Sequence, residues 1–126
     1  MVIIGLILTM FAGLSEAVMD TLQFHFYKSP FAKYNNQFWN PQLSWRNKYK
    51  KGDPSLGPKF PGSTTIFVSL TDGWHLFKLL RNLFLFVGLC LIAIPCLNIN
   101  YIIIYFIAAR ILYGISFQLL FKELGK

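Results

Sequence analysis

The sequence predicts an all-α membrane protein: three transmembrane helices joined through a basic, aromatic-rich interfacial loop. Three observations predict it. The 126 residues are 55% hydrophobic and only 13% charged, with a mean hydropathy of +0.49, whereas a soluble domain is about 25% charged. Three apolar stretches each reach the roughly 20 residues that cross a bilayer core at about 1.5 Å per residue. Charge is also segregated: Lys28, Lys33, Arg46, Lys48, Lys50, Lys51 and Lys59 stand against one acid, Asp53, between the first two stretches. The length allows a single integral membrane domain over residues 1–126.

The first span is expected over about 3–24. Ala12, Glu16, Asp20 and Gln23 follow spacings of four, four and three, so they share one helix face. The other faces are Ile, Leu, Val, Met and Phe. No base precedes the apolar run, so a spanning helix is expected rather than a cleaved signal peptide.

Residues of about 25–64 form the expected cytoplasmic loop. Phe31, Tyr34, Phe38, Trp39 and Trp45 are interleaved with Lys33, Asn35, Asn36 and Arg46. Amphipathic rings and snorkelling bases both settle at the headgroup layer. Trp39, Trp45 and Trp74 are therefore the expected membrane-interface anchors. Glycine and proline punctuate 50–62 every few residues, which reads as loop. Gly62-Ser-Thr-Thr65 lacks the Gly-Lys-Ser/Thr ending of a phosphate loop, and a helix N-cap at Ser63 or Thr64 is expected instead.

Thr65 to Leu97 is too long for one straight span, at about 50 Å. A short interfacial piece over 65–70, a break near 71–73 and a span over about 74–96 are expected. Pro95 and Asn98-Ile-Asn100 close that span with a turn. The third span is expected over about 101–121, with Lys122 and Lys126 beside its end. Bases flank cytoplasmic ends, so the N-terminus is placed outside and the C-terminus in the cytoplasm. The loop bases lie between spans and not on a folded outer face, so no nucleic acid is expected as partner. Anionic lipids of the inner leaflet are. Cys90 and Cys96, six apart, make no C-x-x-C arrangement and read as buried free thiols.

The spans carry ionisable residues: Glu16 and Asp20 in the first, His75, Lys78 and Arg81 opening the second, Arg110 midway along the third. Each such charge at the bilayer centre costs about 2.5–3.5 kcal/mol on insertion scales, so each is expected to have a partner or a task. One reading is metal chemistry. Glu16 and Asp20 at i, i+4, His25 just beyond, and Asp72 with His75 at i, i+3 supply carboxylates and imidazoles at helical spacing. Bundle cores hold divalent metals in that way. Zinc, manganese or iron bound there would activate water against a lipid ester or phosphate, with Lys78, Arg81 and Arg110 clamping the anion. A second reading is structural. Glu16 would pair with Arg110 or Arg81, and Asp20 with Lys78, in a scaffold or accessory subunit that needs no cofactor. A third is a proton-coupled transporter. Three spans enclose no conduit, so that reading requires a homo-oligomer. No catalytic residue is assigned by the pattern.

Phe38-Trp-Asn-Pro, Ser44-Trp-Arg-Asn-Lys-Tyr49, Phe60-Pro-Gly-Ser-Thr-Thr65 and Asp72-Gly-Trp-His75 resemble segments of a group of small hypothetical membrane proteins from bacteria and their phages. The resemblance covers roughly residues 10–80 and implies a bacterial inner membrane. It implies no activity and assigns no site residue.

Overall fold

A computed structural model describes residues 1–95 and 98–124. Helix makes up 80% of it, and no strand forms among the described residues. Three long helices dominate: α1 (Val2–Phe24), α4 (Gly73–Ala93) and α5 (Ile99–Leu124), with α2 (Asn36–Trp39) and α3 (Pro41–Ser44) as single turns between them. Each long helix is long and apolar enough to cross a membrane. The expected spans are thus present, with the second ending at Ala93, just before Pro95 breaks the pattern. Cys96, Leu97 and Lys126 lie outside the described residues, and so does the expectation placed on each. Cys90 is a free, half-buried thiol.

Helix α1 is the centre of the bundle. It packs along both α4 and α5, which barely touch each other. Small residues make this possible. A Cβ on Gly5 would meet the Gly88 carbonyl at 2.6 Å, and one on Gly88 would meet the Gly5 carbonyl at 2.9 Å. A Cβ on Gly13 would collide with the Ser116 hydroxyl and the Tyr113 carbonyl of α5. Small residues at such crossings are how helices associate in lipid, where no hydrophobic force separates helix from solvent. Ser116 also donates its hydroxyl to the Met10 carbonyl across the α1–α5 contact, at 3.0 Å. Helices α4 and α5 keep long apolar faces outward, Leu79, Leu83 and Phe86 on one and Ile104, Ile111 and Ile115 on the other.

The loop folds back onto the end of the bundle where α1 stops and α4 starts. A cluster of Val18, Leu22 and Phe26 carries Phe31, Trp39, Trp74, Phe77 and Leu120 around it. Trp39 stacks on Phe31 with centroids 5.0 Å apart and approaches Gly73, whose missing Cβ makes the room. Trp39 is therefore a packing residue of the loop as well as a candidate anchor, while Trp45 is exposed. Asn35 and Asn40 cap α2 and α3 by accepting the Gln37 and Gln42 amides.

The expected N-cap near Ser63 is not formed. Residues 62–67 are turns, and Ser63 donates its hydroxyl to the Lys48 carbonyl at 2.7 Å, tying the loop to itself. Helix α4 starts at Gly73, beside the expected start near 74, and is capped by Asp72, whose carboxylate accepts the His75 amide. A 3₁₀ turn over Val68–Leu70 occupies the place expected for an interfacial piece.

Candidate functional site at the loop end of the bundle

The residues expected to form one metal cluster fall in separate places. Among the described residues, no group of three or more His, Cys, Asp or Glu side chains lies close enough to hold one metal ion. The i, i+4 and i, i+3 spacings aligned residues on each helix correctly. They could not say how the helices rotate against one another.

Glu16 is tied within the bundle. Its carboxylate oxygen accepts from Arg81 Nη1 at 2.6 Å and from the Tyr113 hydroxyl at 3.0 Å. One oxygen of α1 thus joins α4 and α5, and both ionic partners are about three-quarters shielded, at 25% and 24% side-chain exposure. Arg81, not Arg110, is the partner. The expected Asp20–Lys78 pair is likewise absent: Lys78 sits over the Trp74 ring at 5.0 Å, and Asp20 forms no ion pair among the described residues. Arg110 lies over the Tyr113 ring at 5.6 Å. With Glu16, Asp20, Tyr113 and Gln118 it lines a groove of about 440 Å³ between α1 and α5. Tyr113 is the member that residue pattern missed, since a tyrosine inside an apolar run gives no polar signal.

Asp72 and His75 form a second, independent pair. One carboxylate oxygen caps α4 through the His75 amide at 2.9 Å, and the other meets His75 Nδ1 at 2.7 Å. Asp72 is buried, whereas 32% of the His75 side chain stays exposed. The Nδ1 contact with the carboxylate fixes the ring and leaves Nε2 as the nitrogen outside that contact. The pair lines a cavity of about 160 Å³ with Gln23, Ser44, Trp45 and Trp74. His25 is elsewhere, packed against the Phe121 ring at 5.2 Å.

The loop bases form a third feature. The Lys50 amide donates to the Gly57 carbonyl and the Lys59 amide to the Lys48 carbonyl, closing a hairpin around an isolated Tyr49–Pro58 bridge. Its tip needs left-handed backbone at Lys51 (φ 53) and Gly52 (φ 74). Arg46, Lys51 and Lys59 then line one recess of about 490 Å³ with Gln37, Asn47 and Tyr49. Asn47 fastens this region to the bundle by donating to the Gln37 and Thr71 carbonyls. Asp53, the acid of the hairpin, is turned to Ser55: hydrogen bonds from the Ser55 hydroxyl and amide hold its carboxyl below the usual carboxylate range.

No family model, curated protein or solved structure matches this chain.

Proposed function

We propose that this chain is a non-enzymatic membrane scaffold or accessory subunit. It presents its basic, aromatic loop to the anionic inner leaflet, with its N-terminus outside. The observation that carries the reading is the Glu16 junction. Its charges are explained by what they hold together, because a carboxylate with two donors on two other helices fixes a three-helix arrangement that lipid alone would not. The loop placement rests on chemistry at one end of the bundle. Seven bases lie between α1 and α4, and Ile66, Phe67 and Leu70 stand exposed beside them. Bases beside an anionic leaflet contribute about 1 kcal/mol each.

A double-mutant cycle tests the junction. Glu16→Gln and Arg81→Gln should each lower stability in detergent, and the double variant should recover part of the loss, with a coupling of about 1 kcal/mol. Arg110→Gln should show no coupling to Glu16. A folded Glu16→Gln protein as stable as the parent would sink the structural reading and return Glu16 to a transport or metal role.

The Asp72–His75 pair favours a second reading, an enzyme using His75 as general base on a lipid ester or phosphate. A divalent metal belongs to that reading. A His75→Ala protein that stays folded but loses a lipid-directed activity would favour it over the scaffold.

A further inference from the structure

We propose that the recess of Arg46, Lys51 and Lys59 is a binding site for a phosphate monoester group, as carried by an anionic lipid headgroup. The inference deepens the leaflet reading above and rests on it for the source of the phosphate. It starts from an imbalance. Three cations from separate points of the loop line one recess, and the nearest acid in sequence, Asp53, is committed to Ser55. Like charges gathered in one concavity repel, so the fold holds them together at a cost that an anion would offset.

The fold also pre-arranges them. Arg46 lies over the Trp45 ring at 5.2 Å, which restricts the guanidinium. Lys51 is held at φ 53, a conformation unusual for a residue with a Cβ. The Lys59 backbone is fixed by its N–H, which donates to the Lys48 carbonyl across the hairpin. A planar fork with two point charges, beside the Tyr49 hydroxyl, suits a compact, doubly charged tetrahedral group. A phosphate monoester approaches two negative charges at neutral pH. A diester headgroup carries one, and a carboxylate lacks the tetrahedral oxygens.

The test uses the full chain in nanodiscs, with Trp45 fluorescence as readout. One arm compares phosphatidic acid with phosphatidylserine at matched surface charge. The other titrates soluble pyrophosphate against the protein in neutral lipid. Phosphatidic acid should bind more tightly than phosphatidylserine. Arg46→Gln and Lys59→Gln should each weaken both phosphatidic acid and pyrophosphate by about tenfold. Lys28→Gln and Lys33→Gln, outside the recess, should change pyrophosphate binding by about twofold or less. Pyrophosphate binding that depends on Arg46 and Lys59, without a preference for phosphatidic acid, would support the recess and count against its placement on the leaflet. Equal losses for all four variants on anionic lipid, with no pyrophosphate binding, would overturn the recess and leave the leaflet reading standing.

Discussion

Glu16 lies inside the bundle with two donors on its carboxylate, whereas Arg46, Lys51 and Lys59 share a recess of the loop with no acid among its lining residues. The first arrangement is closed. Both donors to its carboxylate, Arg81 and Tyr113, come from the neighbouring helices of the chain itself. The second is open, since the folded loop brings three bases to one recess whose lining holds no acid. The difference separates polar groups that shape the protein from those available to something outside it. Asp72 and His75 stand between the two, one carboxylate spent on a helix cap and one imidazole nitrogen left over.

The largest effect expected on the closed side comes from the close approach of α1 to α5. Gly13→Leu drives a side chain into the Tyr113 carbonyl and the Ser116 hydroxyl, and backbone cannot swing aside as a flexible side chain can. We expect a loss of about 3 kcal/mol, at the upper end of overpacking costs. Gly114→Ala is the control, because its Cβ would meet only Arg110 Nη1, at 3.4 Å. Thermal unfolding in detergent should separate the two variants clearly. Equal stabilities would mean that α1 and α5 do not pack as described, and the Glu16 junction would fall with them.

A smaller effect of opposite sign sharpens what it means for a polar group to be tied. Thr21 is fully buried on α1, and its hydroxyl has no hydrogen-bond partner among the described residues. A buried hydroxyl without a partner costs free energy. Thr21→Val keeps the shape and removes the group, so it should be neutral or stabilising by up to about 1 kcal/mol. A clear loss of stability would show that the hydroxyl is bonded after all.

How much of this was legible in the sequence depends on the range of the interaction. The spans could be read because about 20 apolar residues without proline have few other folds open to them. The start of α4, expected near 74, lies at Gly73, because the break near 71–73 is marked locally by Asp72 and Gly73. The cap expected at Ser63 or Thr64 does not form, because the loop uses the Ser63 hydroxyl to bond the Lys48 carbonyl, a contact that only the folded loop reveals. The Glu16 partner was narrowed to two arginines and no further, since depth along a helix follows from counting while rotation about its axis does not. Rotation is set by Gly5, Gly13 and Gly88, whose meaning appears only when the facing backbone is known. The recess was invisible for a similar reason. Seven bases in a loop read as one charged surface until the folded loop gathers three of them at one recess.

The smallest expected effect lies on the open side, at Asp53. Its carboxyl is held low chiefly by the Ser55 hydroxyl and then by the Ser55 amide. A carboxyl lowered in the folded chain favours the folded turn at pH values above the ordinary carboxylate range, and that contribution fades as pH falls through the lowered value. The turn over 53–57 should therefore hold at neutral pH and loosen only in strong acid. Asp53 is exposed and water competes for it, so the whole-protein melting temperature should barely move. The measurable signature is local. The Asp53 carboxyl carbon should titrate below a free aspartate in an NMR pH series, and Ser55→Ala should return it toward the ordinary value. A normal titration in the parent chain would mean that Asp53 is free of Ser55. It could then swing toward Arg46, Lys51 or Lys59 as a counter-ion, and the contrast between a closed bundle and an open recess would be lost.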